Sequence, residues 1–351
     1  GRAERCSGGT ATGAGKAAKE PVWERETSVG GGAGAGRGVD KVVQSGKSQG
    51  EGPTRREGVE SGGGGRGASK GEGLGNQVLA NIREVDAVIH VLRCFEDDDI
   101  THVEGGVDPV RDAEIIETEL MLADLDSLEK RLPNLQKRAK NRDAEAVAQI
   151  AVMEPLMEAL REGRPVRAAI PAGEEETVRR LQLLTSKPVL YVCNVDEDSA
   201  ATGNAFSEQV KLRAEAEGAA VVIVSAAIEA EVSQLADDER REFLEGLGLK
   251  DSGLDRVIAA GYRLLGLSTY FTVGPKEARA WTITKGTKAP QAAAVIHNDF
   301  ERGFIACETV AYDDYVQYAG EAGAKEAGRL RVEGRDYVVQ DGDILLFRFN
   351  V

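Results

Sequence analysis

Lys187-Pro-Val-Leu-Tyr-Val-Cys-Asn-Val-Asp-Glu197 is the stretch that decides the fold, because a short apolar run ends there in a cluster of polar residues. Two further runs have the same texture, Asp86-Ala-Val-Ile-His-Val-Leu-Arg93 and Ala219-Ala-Val-Val-Ile-Val-Ser225. Short apolar runs rich in branched residues are expected of strands that are buried on both faces of a parallel sheet. Helical patterns separate the three runs, so the sequence predicts an α/β fold with a parallel sheet.

Polar residues follow two of these predicted strands. Ligands bind beyond the carboxyl ends of the strands in an open parallel sheet, so these residues are candidates for a binding site. An amide and a carboxylate there can read the edge of a nucleotide base by paired hydrogen bonds, whereas a solvated turn is the alternative. The candidates are Asn194, Val195, Asp196 and Glu197 after the second run, and Ser225, Ala226 and Ala227 after the third.

A glycine-rich loop precedes the first predicted strand. It reads Gly67-Ala-Ser-Lys-Gly-Glu-Gly-Leu-Gly-Asn76 and leads into a helix predicted over residues 77–82. Backbone N–H groups exposed by glycine, together with the positive end of a helix, favour a bound phosphate. A plain connection is the other interpretation. The candidate phosphate contacts in this loop are Gly71, Gly73, Gly75 and Asn76.

The beginning of the chain differs in composition from the rest. Residues 1–70 contain 20 of the 42 glycines, and their large apolar side chains are six valines and Trp23. The same stretch has 12 Lys and Arg against 8 Asp and Glu, although the whole chain carries a net charge of -15. Such a segment cannot bury a core, so residues 1–66 are predicted to be disordered.

Composition also limits the cellular setting and the class of partner. The four cysteines are widely separated and form no CxxC pair, so neither a disulfide framework nor a structural zinc site is expected. No apolar run approaches the roughly 18 residues of a membrane span. We therefore expect a cytoplasmic protein with no membrane partner, whose acidity opposes non-specific binding to nucleic acid.

Two helices with a coiled-coil spacing interrupt the α/β pattern. Apolar residues recur at alternating steps of four and three, which is the spacing of a coiled-coil seam. Pro133 and Pro155 lie inside the patterns and are expected to kink or interrupt the helices. Basic residues at the tip, Lys137, Arg138, Lys140 and Arg142, could contact RNA phosphates or could simply be solvated. The seam consists of Met121, Leu125, Leu128, Leu132 and Leu135 with Ala146, Ile150, Met153, Met157 and Leu160.

From about Leu267 the pattern changes to short strands separated by glycine and aspartate turns. Strands are predicted at residues 280–283, 303–307, 337–339 and 344–349, with one helix at 289–296. This part of the chain offers no residues that suggest catalysis of its own. It is therefore predicted to be a small binding module.

Taken together, the motifs resemble the YchF family of Obg-like ATPases. The stretch from Gly67 to Pro109, GASKGEGLGNQVLANIREVDAVIHVLRCFEDDDITHVEGGVDP, is similar to that family, and the similarity continues to the last residue, Val351. Asn194-Val-Asp-Glu197 resembles the family's N-x-x-E, which stands where GTPases have N-K-x-D, and Ser225-Ala-Ala resembles the next base-contacting loop. The resemblance implies ATP in preference to GTP, with Mg²⁺ as cofactor.

The resemblance also implies how the domains are arranged. A P-loop NTPase-like parallel sheet, incomplete in this chain, would occupy residues 67–111 and 187–266. The coiled-coil arm would be inserted at residues 112–186, and a β-grasp TGS domain would occupy residues 267–351. The family associates with the ribosome, so the arm and the TGS domain are the expected contacts for a ribosomal or ribosomal-RNA partner.

The phosphate loop of the family, G-x-P-N-x-G-K-S, does not occur in the sequence. Ser45-Gly-Lys-Ser48 comes close, but Lys41 occupies the first glycine position and the preceding apolar run is too short for a strand. By register, the family's D-x-A-G falls on Glu60-Ser-Gly-Gly63, so Glu60 replaces the magnesium-linked aspartate. A frame-shifted or misassembled gene beginning would explain this difference, and a genuinely novel tail is the alternative.

His102 is the candidate catalytic residue. It lies in a polar loop beyond the carboxyl end of the first predicted strand, where the family motif has a histidine that is proposed to assist hydrolysis. An imidazole there could orient or deprotonate the attacking water, whereas a loop histidine without a catalytic part is the alternative. Two functions remain open: an ATPase that acts as a molecular switch, and a non-catalytic module that binds RNA, the ribosome or a protein.

Overall fold

The computed structural model describes residues 28–33, 51–52, 55–60, 74–96 and 106–350, with side chains for residues 79–96, 106–236 and 239–350. The chain divides into two compact units. One comprises Gly1–Gly30 with Gly58–Ala260, and the other comprises Gly31–Glu57 with Gly261–Val351. In the described ranges, no helix is both long enough and apolar enough to cross a membrane.

Strands and helices are numbered separately, each in chain order. The strands are β1 (Ser28–Ala33), β2 (Glu51–Gly52), β3 (Arg55–Glu60), β4 (Val88–Arg93), β5 (Val189–Asn194), β6 (Ala220–Val224), β7 (Leu267–Val273), β8 (Ala278–Thr284), β9 (Phe304–Val310), β10 (Arg331–Glu333) and β11 (Ile344–Phe349). The α-helices are α1 (Leu74–Glu84), α2 (Pro109–Lys140), α3 (Ala144–Arg161), α4 (Glu175–Leu181), α5 (Ala205–Glu217), α6 (Ala226–Val232), α7 (Asp237–Gly246), α8 (Gly253–Leu264), α9 (Ala289–Ile296), α10 (Asn298–Arg302), α11 (Tyr312–Gln317) and α12 (Glu321–Glu326). Short 3₁₀ helices span Val166–Ala168 and Leu184–Ser186.

The three apolar runs form one parallel sheet, as the sequence predicts. The strand order is β4-β5-β6, with Leu92 opposite Cys193 and Cys193 opposite Ile223. The central strand β5 is buried at five of its six residues. Because the three strands are parallel, their carboxyl ends lie at one edge of the sheet. Helices join the strands, so the predicted α/β fold is confirmed.

Burial on both faces holds for β5 but not for β4. Ile89 is 53% exposed and Val91 is 42% exposed, although Leu92 in the same strand is buried. Successive residues of a strand point to opposite faces, so Ile89 and Val91 share one face. The expectation of burial on both faces is therefore wrong for β4, because it is an edge strand of the described sheet and its Ile89 face is left uncovered by the described residues.

Three short strands lie within residues 1–66, where the sequence predicts disorder. Strands β1 and β3 pair in a two-stranded sheet, and β2 pairs in parallel with β8. Disorder for residues 1–66 as a whole stays a prediction. Strand β3 ends at Glu60, the residue that the family register aligns with the magnesium-linked aspartate. The other residues of 1–66 lie outside the described ranges.

Helix α1 begins earlier than the sequence predicts. The pattern predicts a glycine-rich loop that continues through Asn76, but the helix starts at Leu74, so Gly75 and Asn76 belong to its first turn. The first turn of a helix tolerates glycine, because its N–H groups have no partner inside the helix in any case. These two candidate phosphate contacts are therefore helical, and Gly71 and Gly73 lie outside the described residues.

The arm is an antiparallel pair of helices whose seam is as predicted. Helix α2 begins after Asp108, whose carboxylate accepts the Arg111 N–H at 3.0 Å, so it starts three residues before the predicted insertion. Asp143 caps α3 by accepting the Ala146 N–H at 3.1 Å. All ten predicted seam residues lie in one hydrophobic cluster or pack directly against it. The stripe of Leu and Met side chains is therefore core packing.

The two prolines do not interrupt the arm. Pro133 lies inside α2 and Pro155 lies inside α3, and both helices continue through them. The prediction of an interruption is therefore wrong. Each proline removes one helical hydrogen bond, and the continuous seam holds the flanking turns together.

The second unit contains a mixed sheet with a helix packed on it. The strand order is β10-β9-β11-β7-β8-β2; β11 runs parallel to β7 and antiparallel to β9. Alanines 289, 292 and 293 of α9 pack into a cluster with Tyr270, Phe304 and Phe347 of the sheet. This arrangement agrees with the predicted β-grasp module, and α9 has the predicted bounds.

The predicted strand at residues 337–339 is wrong. The segment forms one isolated bridge, between Val338 and Lys288, and the strand in this part of the chain is β10. The backbone of the segment pairs on both sides of this bridge, since the Val339 N–H donates to the Thr287 carbonyl at 3.0 Å and the Ala289 N–H donates to the Tyr337 carbonyl at 2.8 Å. The pairing stops there because Asp343 Oδ2 accepts the next N–H, that of Gln340, at 2.8 Å. A side chain that accepts backbone N–H groups competes with strand pairing.

Candidate nucleotide-binding site

The two base-reading motifs meet at the carboxyl edge of the parallel sheet. Asn194 is the last residue of β5 and is only 3% exposed. Its side-chain Oδ1 accepts a hydrogen bond from the Ala226 N–H at 2.9 Å, and its backbone carbonyl accepts one from the Cys94 N–H at 2.8 Å. Asn194 therefore joins the ends of all three strands. No described residue accepts a hydrogen bond from its Nδ2, so this amide retains a donor.

The next three residues differ in what their side chains do. Val195 is buried, and its N–H donates to the Val224 carbonyl at 2.8 Å, which continues the pairing with β6. Asp196 Oδ1 accepts the Ser199 N–H at 2.8 Å and so closes a turn. Glu197 is exposed, and its carboxylate has no ion pair with a described residue. Of the two carboxylates, that of Glu197 is thus the more exposed one and accepts no hydrogen bond from a described residue.

The loop after β6 contains a buried hydroxyl without a partner among the described residues. Ser225 is 2% exposed, and its Oγ makes no hydrogen bond, although its carbonyl accepts the Glu229 N–H at 3.0 Å. A buried polar atom without a partner costs free energy, so such an atom needs a specific explanation. Ala226 is buried beside it and Ala227 is half-buried. The small side chains and the unpaired hydroxyl leave this loop able to accept a polar ligand edge.

Glu229 is a residue of this site that the sequence does not reveal. It lies in α6, directly after the base-reading loop, and its two carboxylate oxygens accept the N–H groups of Gly253 at 2.6 Å and Leu254 at 3.0 Å. Those N–H groups begin α8, so the carboxylate satisfies donors that a helix leaves free at its start. No local pattern predicts this contact, because Glu229 and Gly253 are far apart in the chain.

The phosphate side of the site is not placed by the structure. His102 lies outside the described residues, as do Gly71 and Gly73, whereas Gly75 and Asn76 are described only as part of the backbone of α1. The structure thus brings Asn194 and the Ser225–Ala227 loop together, with Glu197 three residues after Asn194. The roles of all the candidate residues stay predictions.

The described residues do not suit a magnesium ion. They contain no group of three or more His, Cys, Asp or Glu side chains arranged to hold a metal. The sequence also lacks the hydroxyl of a phosphate loop, which is a usual ligand of nucleotide-bound Mg²⁺. Oxygen-bearing side chains follow β5 and β6, namely those of Asp196, Glu197 and Ser225, but these residues are candidates for contacts with the base and not with the phosphates. No chemical step can therefore be assigned to a metal here.

Comparisons with known proteins agree with these features. The family model YchF-GTPase_C, described as "Protein of unknown function (DUF933)", matches residues 267–350. The "Ribosome-binding ATPase YchF" of Haemophilus ducreyi is 54% identical over 300 residues, which is 85% of this chain and 82% of the relative. The protein of the same name from Escherichia coli O157:H7 is 51% identical over 314 residues, 89% of this chain and 86% of the relative.

A solved structure extends the similarity to the fold. The structure of the Schizosaccharomyces pombe YchF GTPase matches with a TM-score of 0.80 and 34% identity, covering 99% of this chain and 94% of that one. The match with the Escherichia coli protein spans 314 residues, which is more than the chain contains from Gly67 to Val351. The family similarity therefore begins before Gly67, earlier than the motifs alone indicate.

Proposed function

The chain belongs to the YchF family, and from that premise we propose that it is an ATPase switch that reads adenine at the carboxyl edge of its parallel sheet. Its relatives are named ribosome-binding ATPases, and family membership supports ATP hydrolysis by a chain that has the family's phosphate loop. The hydrogen bond from Ala226 to Asn194 Oδ1 carries the proposal, because it joins the N-x-x-E motif to the next base-contacting loop.

Asn194 and Glu197 are the proposed base contacts. A GTPase aspartate accepts two donors from guanine, and this chain has Glu197 in place of that motif, so the reason for choosing guanine is lost. The free Nδ2 of Asn194 donates to a ring nitrogen of the base, and the buried Ser225 hydroxyl supplies a second polar group nearby. We propose that ATP binds more tightly than GTP.

A titration tests the nucleotide choice. A version of the chain that carries the family's phosphate loop would be titrated with fluorescent ATP and GTP. Changing Glu197 to Ala should lower ATP affinity by about tenfold without altering thermal stability, since the carboxylate is exposed. Asp198→Ala is the matched control, because it removes an exposed carboxylate one residue away. A strong preference for GTP would contradict the proposal.

His102 is proposed to orient the attacking water. If it acts only as the γ-phosphate leaves, His102→Ala removes transition-state stabilisation and should lower turnover by roughly 100-fold with little change in ATP affinity. Phosphate release and nucleotide binding, measured on the same variant with its phosphate loop restored, separate the two effects. Much weaker ATP binding would instead make His102 a substrate contact, and normal turnover would remove it from the chemistry.

The ribosome is the proposed partner, reached through the arm and the C-terminal module. Lys137, Lys140 and Arg142 at the arm tip are exposed and make no ion pair with a described residue, whereas Arg138 pairs with Asp143 at 2.7 Å. Three free cations on an acidic protein suit the phosphates of ribosomal RNA. Such a partner would place the protein in the cytoplasm. In the switch mechanism, bound ATP would reorder loops around the γ-phosphate and change this contact.

A non-catalytic role is the second candidate. The absence of a phosphate loop from the sequence favours it, since the arm tip could bind RNA without any nucleotide chemistry. Ribosome sedimentation with and without ATP distinguishes the two functions. Binding that depends on ATP supports the switch, and equal binding under both conditions supports the non-catalytic module.

A further inference from the structure

The first arm helix holds a buried carboxylate that reaches the entry of the central strand. Asp124 lies in α2 and is fully buried. Its oxygens accept three hydrogen bonds, from the Leu184 N–H at 2.7 Å, the Thr185 N–H at 2.8 Å and the Thr185 hydroxyl at 2.8 Å. Burial raises the pKa of Asp124, although these donors oppose the rise. The carboxylate fixes the 3₁₀ helix Leu184–Ser186, and β5 starts three residues after it.

A second carboxylate on the same face of α2 reaches the middle of β5 through an ionic cluster. Glu117 precedes Asp124 by two helical turns. It contacts Arg167, and its Oε2 accepts from Arg213 at 2.8 Å. Arg213 also pairs with Glu217 at 2.8 Å, and Glu217 accepts the Tyr191 hydroxyl at 2.9 Å. These four charged side chains are at most 21% exposed, so water screens their attraction only weakly.

Tyr191 connects the ionic cluster to the strand that ends in the base-reading motif. It is buried in β5, three residues before Asn194, and burial raises its pKa to about 12, so its hydroxyl stays protonated and donates. Helix α2 thus reaches the entry of β5 through the Asp124 contacts with Leu184 and Thr185, and the centre of β5 through the chain of contacts from Glu117 by way of Arg213 and Glu217 to Tyr191. At the far end of β5, Asn194 accepts the Ala226 N–H. A shift of β5 along its axis would break that hydrogen bond.

The use of a buried carboxylate at this point indicates that Asp124 fixes the position of the 3₁₀ helix and does not merely attach it to α2. Leu79, Ala123 and Leu184 form an apolar cluster beside Asp124, so apolar packing was available at this point. A buried carboxylate is costly unless its hydrogen bonds are satisfied, and it tolerates few alternative geometries. Helix α2 then continues unbroken to Lys140, about 24 Å beyond Asp124 at 1.5 Å per residue, and ends at the cations of the tip.

We propose that Asp124 and Glu117 are positioning residues of the base-reading site, which hold β5 where Asn194 can accept the Ala226 N–H. The proposal rests on the proposed function for its nucleotide part. Its structural part concerns only the arm, β5 and the Ala226 loop.

Hydrogen exchange on the 351-residue chain tests the structural part without nucleotide. Asp124→Asn replaces one accepting oxygen by an NH₂ group that faces N–H donors. Exchange of the Ala226 amide and of residues 189–197 should become about tenfold faster, while the amides of α3 keep their rates. Asp126→Asn is the matched control, because Asp126 lies on the same helix, is 59% exposed and pairs only with Lys130. This control should exchange like the unchanged chain.

A milder pair of variants covers the case in which Asp124→Asn does not fold. Thr185→Val removes the hydroxyl with little change of shape, and Thr185→Ser keeps it. Thr185→Val should speed exchange at Ala226 by several-fold, and Thr185→Ser should not. Faster exchange confined to residues 183–189, or spread equally over α3 and every strand, would overturn the proposal, because either result describes a purely structural contact.

A binding measurement then separates this proposal from the proposed function. A fluorescent ATP analogue is titrated into versions of the unchanged chain, Asp124→Asn and Asp126→Asn that all carry the family's phosphate loop. The positioning role predicts binding about tenfold weaker for Asp124→Asn alone. If the unchanged chain and both variants bind equally, the coupling to nucleotide is overturned. If none binds the analogue, the proposed function fails for this chain, and the exchange result still decides whether Asp124 positions the Ala226 loop.

Discussion

At the scale of single residues, the site depends on a few polar contacts between distant parts of the chain. Asn194 reaches Ala226, Glu229 reaches Gly253 and Asp124 reaches Thr185. Each pair satisfies backbone N–H groups in a buried place, where an unpaired donor would cost about 1 to 3 kcal/mol. These contacts fix the geometry of the base-reading loop more tightly than apolar packing alone would.

Gly253 gives a direct test of the contact with Glu229. A Cβ at this position would lie 2.8 Å from Glu229 Oε1 and 2.9 Å from Val224 Cγ1, closer than real contacts allow. Gly253→Ala should therefore lower the free energy of unfolding by about 1 to 3 kcal/mol, measured by urea denaturation. Gly261→Ala, in the same helix with open space around it, should raise that free energy by about 0.5 to 1 kcal/mol. Equal effects of the two variants would contradict the crowding.

His90 predicts how stability changes with pH. Burial lowers its pKa from 6.5 to about 4, with Arg213 adding to the effect and Glu117 opposing it. Between these two values, His90 is protonated in the unfolded chain and neutral in the folded chain. The free energy of unfolding therefore falls as the pH drops from 6.5 toward 4.

The expected loss from His90 is about 2 kcal/mol between about pH 7 and about pH 5. Urea denaturation at the two pH values should show that His90→Gln loses less stability than the unchanged chain. His297→Gln is the control, since that side chain is 63% exposed. The same loss in His90→Gln as in the unchanged chain would show that other groups cause the acid sensitivity.

At the scale of elements, some strands and helices can be predicted from local sequence patterns, whereas contacts between residues far apart in the chain cannot. The apolar runs of β5 and β6 and the four-three spacing of the arm are local patterns, and the structure has them as predicted. Tyr337–Val339 looks like a strand by composition, but its pairing ends after one bridge, because Asp343 accepts the N–H of the next residue, Gln340. From the sequence alone, Asp124 looks like a solvent-facing carboxylate on a helix. Its buried role cannot be read from the sequence because its hydrogen-bond partners lie far along the chain, in the 3₁₀ helix before β5.

The prolines of the arm provide a prediction at this scale. Pro133 is exposed inside α2, so it removes a helical hydrogen bond without contributing to the seam. Pro133→Ala should restore that bond and raise the free energy of unfolding by about 1 to 3 kcal/mol, measured by thermal denaturation. Asn134→Ala is the neighbouring control and should change stability by less than about 1 kcal/mol. A lower free energy of unfolding for Pro133→Ala would show that the proline stabilises the arm.

At the scale of the whole molecule, the two halves of the proposed nucleotide site would have separate origins in the chain. The proposed base-reading half lies at the ends of β5 and β6 in the parallel sheet. The phosphate half of the family comes from a loop motif that the sequence does not contain. Base contacts alone provide little affinity for a triphosphate, because backbone N–H groups and a lysine supply most of the hold on the β- and γ-phosphates.

The unaltered chain should therefore turn over ATP no faster than a protein-free control, although a version with the family's phosphate loop should be active. Phosphate release measured with excess ATP and Mg²⁺ tests both proteins side by side. Lys47→Ala supplies the decisive control, because Ser45-Gly-Lys-Ser48 is the nearest approach to a phosphate loop in the sequence. Because the sequence around it lacks the family's strand and helix patterns, that segment is not expected to aim its N–H groups at one phosphate, so Lys47→Ala should change nothing. Robust turnover by the unchanged chain, abolished by Lys47→Ala, would instead show that this segment binds the phosphates and completes the site.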